Sequence, residues 1–355
     1  MAASCDTSVE IGVQPVATNS GGVRGPVFIV SMWRAGSSLL YALLNQHPQV
    51  ALTYEADLPL LTPMFWKPGF LRDWAKRWEF WNSALSRHGI QGGAAGGASS
   101  RASFRASFPA AFEAVHRGYA VDQGATIWGD KSPNYYDRMT WLARRFPGAR
   151  FLVVWRDPMD TARSMARAGA GGSSYFQKRG TRTRALVGYR VFRRQYLGLV
   201  EAGVPVHALD YEDLIRDPRA CMEGVCRFLQ IPFDDRVLTL ENADRSATYE
   251  GAHHESLRGN KIIANRERAE VLEAAWKEKI ARYVRLWRRQ EDGWPAYPKQ
   301  GTPDGAEPTV WERLVDRAGY RFWKFFDWFT VVVYSFAPLD VLRRYRERKG
   351  TRASS

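Results

Sequence analysis

The stretch FIVSMWRAGSSLLYALLNQHP, Phe28 to Pro48, reads as a buried strand, a polar turn and a helix. Val27, Phe28, Ile29 and Val30 form a short continuous apolar run, the pattern of a strand covered on both faces. A helix is predicted from Ser37 to Gln46, because Leu39, Leu40, Leu43 and Leu44 recur at helical spacing. Between the two lies Arg34-Ala35-Gly36-Ser37-Ser38. Gly36 lets the backbone approach a ligand, and the first amides of a helix point outward at an anion. The two serines add hydroxyls, and Arg34 adds a permanent charge on a planar fork. Two readings stand here: an anion-binding turn, or a tight turn whose Ser caps the helix while Arg34 faces solvent. A kinase-type phosphate loop is disfavoured, since GxxxxGK[ST] needs a Lys after its second Gly.

A second stretch repeats the arrangement. WGDKSPNYYDRMTWLARRFPGARFLVVWRDPMDTARSM runs from Trp128 to Met165. Phe151 to Trp155 is a buried-strand run ending in Arg156-Asp157-Pro158, where Asp157 suits a helix cap and Pro158 its first turn. Ser164 follows two helical turns beyond Arg156, within reach of the same anion. The plainer reading has Asp157 as a cap and Arg156 paired with a neighbouring carboxylate. Lys131 closes a short strand, and a helix is predicted from Tyr135 to Phe146. Ligand sites of open α/β sheets gather at such strand ends. The fold class expected is therefore α/β, a central parallel sheet flanked by helices.

At these residues the chain resembles the sulfotransferase superfamily, in the pattern of its Golgi-type and bacterial carbohydrate and tyrosylprotein branch. The likeness rests on Arg34 to Leu40, beside the family's RSGTTLL, and on Arg156 to Ser164, beside its RDPxDxxxS. Asp210-Tyr211-Glu212-Asp213-Leu214, Asp217-Pro218 and Arg227-Phe228-Leu229 are similar to a later family stretch. The resemblance implies a P-loop-NTPase-like sheet and 3′-phosphoadenosine 5′-phosphosulfate as co-substrate, with no metal. It implies that Arg34, Ala35, Gly36, Ser37, Ser38 and Leu39 hold the 5′-phosphosulfate, and that Arg156 and Ser164 hold the 3′-phosphate. Lys131 is implied to contact the bridging oxygen as the sulfuryl group leaves, with Arg34 beside it. Glu55 is implied as the base, with Asp57, Asp130 and a histidine as alternatives. Arg258 and Gly259 resemble a late cofactor-closing loop. Ala35 departs from the family's Ser, which removes one donor. The acceptor expected is a hydroxyl of a carbohydrate or glycolipid, with a protein tyrosine or a small molecule as alternatives.

Composition frames the rest. The 355 residues carry a net charge of +14, which suits an anionic co-substrate, an anionic acceptor or a membrane surface. No nucleic-acid recognition motif accompanies that charge. Cys5, Cys221 and Cys226 form neither CxxC nor a disulfide framework, which predicts a reducing compartment. Residues 1–22 lack the apolar core of a signal peptide and read as a disordered tail, so a cytoplasmic enzyme is expected. His253 and His254 are adjacent, point apart and lack metalloprotease spacing, so they read as loop or acceptor-site residues.

The catalytic domain is expected over 23–295, with a flexible insertion at 85–108 and a linker at 296–309. Within the insertion, Gly92 to Ser107 is low-complexity and reads as a loop, and Gly169 to Ser174 as a second flexible stretch. Trp74, Trp78 and Trp81 share one helical face, either a core stripe or an acceptor wall. Arg179 to Arg194 is basic, equally suited to an anionic acceptor or a solvated helix face. A helix is predicted over Glu267 to Trp287. Residues 310–355 form a helical aromatic extension: Tyr320 to Pro338 concentrates Phe, Trp, Val and Tyr, and Arg343 to Arg352 is basic. That combination suits a membrane interface with anionic lipids, or a helix packed on the domain or on a second subunit. A non-catalytic membrane-surface protein that binds nucleotide is the rival to an enzyme.

Overall fold

A computed structural model describes residues 22–56, 101–172, 176, 179–243, 273–274, 276–282, 309–311, 313–314, 317–319, 321–322 and 325, with the backbone alone at 101–108, 111 and 179–187. Five parallel strands form one sheet in the order β2-β3-β1-β4-β5. They are β1 (Arg24–Ser31), β2 (Val50–Tyr54), β3 (Ile127–Lys131), β4 (Arg150–Trp155) and β5 (Val206–Asp210). The helices are α1 (Ser37–Leu44), α2 (Arg101–Asp122), α3 (Met139–Arg145), α4 (Pro158–Ala170), α5 (Arg179–Glu201), α6 (Tyr211–Arg216) and α7 (Pro218–Leu229).

The two apolar runs of the sequence became neighbouring central strands, and their residues alternate between two cores. Phe28, Val30, Phe151, Val153 and Trp155 pack with Phe112 of α2, Leu142 of α3, Met165 of α4 and Phe192 of α5. Val27, Ile29, Leu152 and Val154 pack on the other face with Leu40 and Leu44 of α1, Leu214 of α6 and Val225 of α7. A strand buried on both sides has no polar face to spare, which is why both runs are continuously hydrophobic. At Gly129 of β3 a Cβ would lie 1.9 Å from the Val27 carbonyl oxygen, so only glycine allows β3 to run this close to β1.

Chain order places the crevice. From β1 the chain runs to β2 at one edge; from β4 it runs to β5 at the other. The turns after β1 and β4 therefore lie side by side and diverge, the switch point at which open α/β sheets bind ligands.

Three local expectations change. The loop read as far as Ser107 is helical from Arg101, where α2 begins. The glycines that suggested a loop end at Gly97, and the Ala, Ser and Arg beyond them tolerate a helix. The stretch read as flexible from Gly169 begins inside α4, which ends at Ala170. The single helix expected over Tyr135 to Phe146 is a 3-10 turn, Pro133–Asp137, followed by α3. Ser132 caps that turn by accepting from the Asn134 amide, and the Tyr135 hydroxyl donates to Asp130, which pins it to the strand end.

Part of the helix expected over Glu267 to Trp287 is present at 276–282, where Ile280 joins the first core. Trp74, Trp78, Trp81, His253, His254, Arg258, Gly259, residues 1–21 of the N-terminal tail, and most of the aromatic and basic C-terminal run lie outside the described residues.

Candidate active site

The turn after β1 is shaped by two left-handed residues, Arg34 (φ 66°) and Gly36 (φ 105°). Gly36 is needed twice over. Its φ disfavours side chains, and a Cβ there would sit 2.2 Å from the Tyr211 ring. The Ala35 amide donates to the Met32 carbonyl (3.1 Å) and the Leu39 amide to the Gly36 carbonyl (2.9 Å), so both are already committed. No side chain caps α1. Ser37 is buried, and its hydroxyl accepts from Ser31 (2.8 Å) rather than facing outward. Ser38 turns the other way, toward the β2 and β3 strand ends.

There the parallel register sets Tyr54 of β2 opposite Lys131 of β3. Lys131 is 1% exposed. Its ammonium donates to Glu55 Oε1 at 2.7 Å and to Ser38 Oγ at 3.0 Å, and lies 4.0 Å from the Tyr54 ring centroid. Tyr54 and Ser38 share a further hydrogen bond of 2.9 Å. Burial works against the lysine charge, but Glu55 and Tyr54 outweigh it and hold the ammonium above its usual pKa. Glu55 has φ 51°, a conformation that costs a non-glycine residue about 1–3 kcal/mol. Its amide donates to the Lys131 carbonyl (2.7 Å), which fixes the carboxylate beside the strand end.

The turn after β4 closes the opposite side. Asp157 caps α4 by accepting from the Met159 and Asp160 amides, as expected. Arg156 is buried and donates through Nη1 to the Arg34 carbonyl at 3.1 Å, tying the two turns together. Its guanidinium lies 4.3 Å from the Tyr211 ring centroid, and its Nε is 3.5 Å from Glu212 Oε1. From the other turn, Arg34 Nε reaches back to Ser164 Oγ at 3.4 Å. Burial, then the charge of Arg156, lowers the Arg34 pKa to about 10. The Glu212 carboxyl is pushed up to about 8 by burial and by its hydrogen bond and charge contact with Asp210, against the pull of Arg156.

Arg34, Gly36, Ser38, Glu55, Lys131, Arg156 and Ser164 thus converge on one crevice. The alternatives for the base separate. Asp130 is buried and accepts from Thr53 Oγ1 (2.6 Å), the Ala56 amide (3.3 Å) and the Tyr135 hydroxyl, a structural network. His47 contacts the Pro232 carbonyl (2.8 Å) and accepts from the Gln49 amide (3.1 Å), also structural. Asp57 lies outside the described residues. Among the described residues no group of three or more His, Cys, Asp or Glu is placed to hold a metal ion. Sequence reasoning assigned nothing to Tyr54, Tyr211 or Glu212. The last two stood in the quoted Asp210–Leu214 stretch, but nothing local to it shows that β5 sets them beside Arg156.

Residues 26–235 match the model of the sulfotransferase family. The chain is 27% identical over 239 residues to protein-tyrosine sulfotransferase 1 of Danio rerio, covering 66% of this chain and 57% of that one. It is 25% identical over 258 residues to protein-tyrosine sulfotransferase A of Caenorhabditis elegans, covering 68% and 56%. The chain therefore spans little more than half the length of these curated relatives. Among solved structures, the sulfotransferase domain of the Synechococcus PCC 7002 olefin synthase superposes with a TM-score of 0.47 at 20% identity, over 79% of this chain and 100% of that one.

Proposed function

The chain belongs to the sulfotransferase family, and we propose from that premise that it moves the sulfuryl group of 3′-phosphoadenosine 5′-phosphosulfate to a hydroxyl. The observation that carries this reading is the convergence of Lys131, Glu55 and Ser38, the lysine ammonium lying within 3.0 Å of both oxygens, beside the Arg34 and Arg156 turns. Sulfuryl transfer is an in-line displacement with charge spread over peripheral oxygens, so positioning and charge stabilisation dominate. The acceptor oxygen bonds to sulfur as the bond from sulfur to the bridging oxygen breaks. Glu55 receives the acceptor proton, and adenosine 3′,5′-bisphosphate leaves. Lys131 and Arg34 offset the charge that develops on the leaving phosphate. Gly36 and the Ser38 hydroxyl cradle the 5′ end, Ser37 contributing only its backbone amide because its hydroxyl is held by Ser31, with Ala35 and Leu39 shaping the turn. Arg156 and Ser164 take the 3′-phosphate.

The acceptor is a carbohydrate or glycolipid hydroxyl at an anionic membrane surface on the cytoplasmic side. Support comes from Trp311 (72% exposed) and Leu314 on the C-terminal extension, with Arg313, Arg317 and Arg321 in the same run. No described helix is long and apolar enough to cross a membrane. A tyrosyl hydroxyl is the second reading, favoured by the names of the two relatives.

Thermal unfolding with adenosine 3′,5′-bisphosphate tests the nucleotide site. At a hundred times its Kd the ligand adds about 2.7 kcal/mol to the wild type, and Arg156→Ala loses most of that gain. No stabilisation of the wild type at millimolar ligand refutes the reading. Transfer of labelled sulfate to glycolipids, oligosaccharides and tyrosine peptides then separates the acceptors.

A further inference from the structure

Three candidates outside the assigned roles carry polar groups in buried places. His116 packs between Phe112 and Trp128 and serves the core. Cys221 and Cys226 are buried along α7, five residues apart in sequence, and are not joined by a disulfide. Tyr54 differs from both, because it touches two proposed site residues and its own role is unassigned.

We propose that Tyr54 is the positioning residue for Lys131, its ring holding the buried ammonium between the phosphate turn and Glu55. The inference rests on the sulfotransferase reading above and adds a residue to it. The Lys131 ammonium has Glu55, Ser38 and the face of Tyr54 around it. Two of these partners change during the proposed reaction. Glu55 is neutralised when it takes the acceptor proton, just as charge appears on the leaving phosphate. Ser38 belongs to the turn that receives that phosphate. The Tyr54 ring does not change: a π face cannot be protonated, and it attracts a desolvated cation throughout.

Tyr54 is itself immobilised. It is fully buried, sits opposite Lys131 in the parallel register, and packs edge-on against Tyr41 with centroids 5.1 Å apart. Its hydroxyl also joins Ser38 at 2.9 Å. One side chain therefore fixes both the lysine and the serine that flank the leaving phosphate. The titratable groups facing the ammonium are the Glu55 carboxylate and the Tyr54 hydroxyl, which burial keeps neutral and which also hydrogen-bonds to Lys131, with Arg34 near Tyr54.

The test is binding of two nucleotides by titration calorimetry across pH 7–10. Adenosine 3′,5′-bisphosphate carries the 5′-phosphate that Lys131 contacts in this proposal; adenosine 3′-monophosphate lacks it. Tyr54→Leu weakens the bisphosphate about tenfold at the alkaline end, the scale of one desolvated cation–π contact. Its affinity begins to fall at lower pH than in the wild type, and the monophosphate is unaffected. Tyr54→Phe loses the hydroxyl's contacts with Ser38 and Lys131 but keeps the ring, so it weakens binding less than Tyr54→Leu does. Should the Tyr54→Leu variant prove unstable, pentafluorophenylalanine at position 54 keeps the shape, inverts the ring charge, and gives the same loss. Equal weakening of both nucleotides, or no weakening in either variant, overturns the role of Tyr54 while leaving the nucleotide site intact. Failure of the wild type to bind either nucleotide overturns the sulfotransferase reading and this inference with it.

Discussion

Two buried cation–carboxyl pairs flank the crevice, and they are built differently. At the β2 and β3 ends, Lys131 and Glu55 meet at 2.7 Å and are backed by Ser38 and Tyr54. At the β4 and β5 ends, Arg156 and Glu212 stand 3.5 Å apart, and neither Arg156 Nε nor Glu212 Oε1 has a hydrogen-bond partner among the described residues. The first pair is closed. The second is loose: burial, and then Asp210, keep the Glu212 proton on to about pH 8. A buried cation whose counter-charge is protonated is available to an outside anion; one held by a carboxylate must exchange partners. The difference suits the roles proposed: Arg156 for a phosphate that stays bound throughout, Lys131 for charge that appears only during transfer.

The largest expected effect breaks the closed pair. Lys131→Met lowers the rate of sulfuryl transfer by about 10²–10³-fold, the loss typical of one transition-state donor. Calorimetry on the same variant is to show a much smaller loss of nucleotide affinity. If binding and rate fall together, the two pairs do not divide the work as described. Next comes the element that joins them. Gly36→Ala meets both a positive φ and the Tyr211 ring, and is expected to lower stability by about 1–3 kcal/mol. Denaturant unfolding reads that cost, and Gly36→Ala with Tyr211→Ala recovers only the steric part.

A smaller effect of opposite sign is expected at the loose pair. Glu212→Gln removes the carboxylate that competes for Arg156, so adenosine 3′,5′-bisphosphate binds about threefold to tenfold tighter above pH 8 and unchanged at pH 6. Stability follows the same proton. The native Glu212 carboxyl, raised from 4.5 to about 8, holds its proton where the unfolded chain has lost it. Wild-type stability therefore falls as pH rises across that window, and the melting temperature of the Gln variant gains on it. Parallel curves for the two proteins would remove Glu212 from this account.

The smallest effect calibrates the background far from both pairs. Burial holds the pKa of His116 down to about 4, against a favourable contact with the Phe112 carbonyl. Its contribution to stability is complete above pH 6.5 and is lost as the pH falls through 4. His116→Phe flattens that acid limb in a melting series and leaves the alkaline differences of Glu212→Gln untouched.

The central strands were legible because a doubly covered strand must be apolar throughout, and both turns were legible because each follows such a run. What brings the turns' residues together was not. Lys131 and Glu55 meet through the register of β2 on β3, and nothing in either segment states which residues stand opposite. Tyr211 and Glu212 reach Arg156 because β5 pairs with β4, a fact of topology. The short arginine- and serine-rich opening of α2 read as loop because its composition carries no periodic apolar face. Local chemistry names the parts of the crevice; strand order and register assemble them.

The turns after β3, β4 and β5 each end in a residue whose side chain closes the backbone that follows: Ser132, Asp157 and Asp210. The turn after β1 ends in Gly36, with no side chain to do so. Among the described residues, three strand-to-helix corners are closed by a side chain and the one after β1 is not; in the reading proposed above, the anion completes it. For that helix, binding and completion of its own secondary structure become a single equilibrium. Amide exchange at Ser37 and Ser38 would then slow in step with occupancy, reporting the ligand without any chemistry being performed.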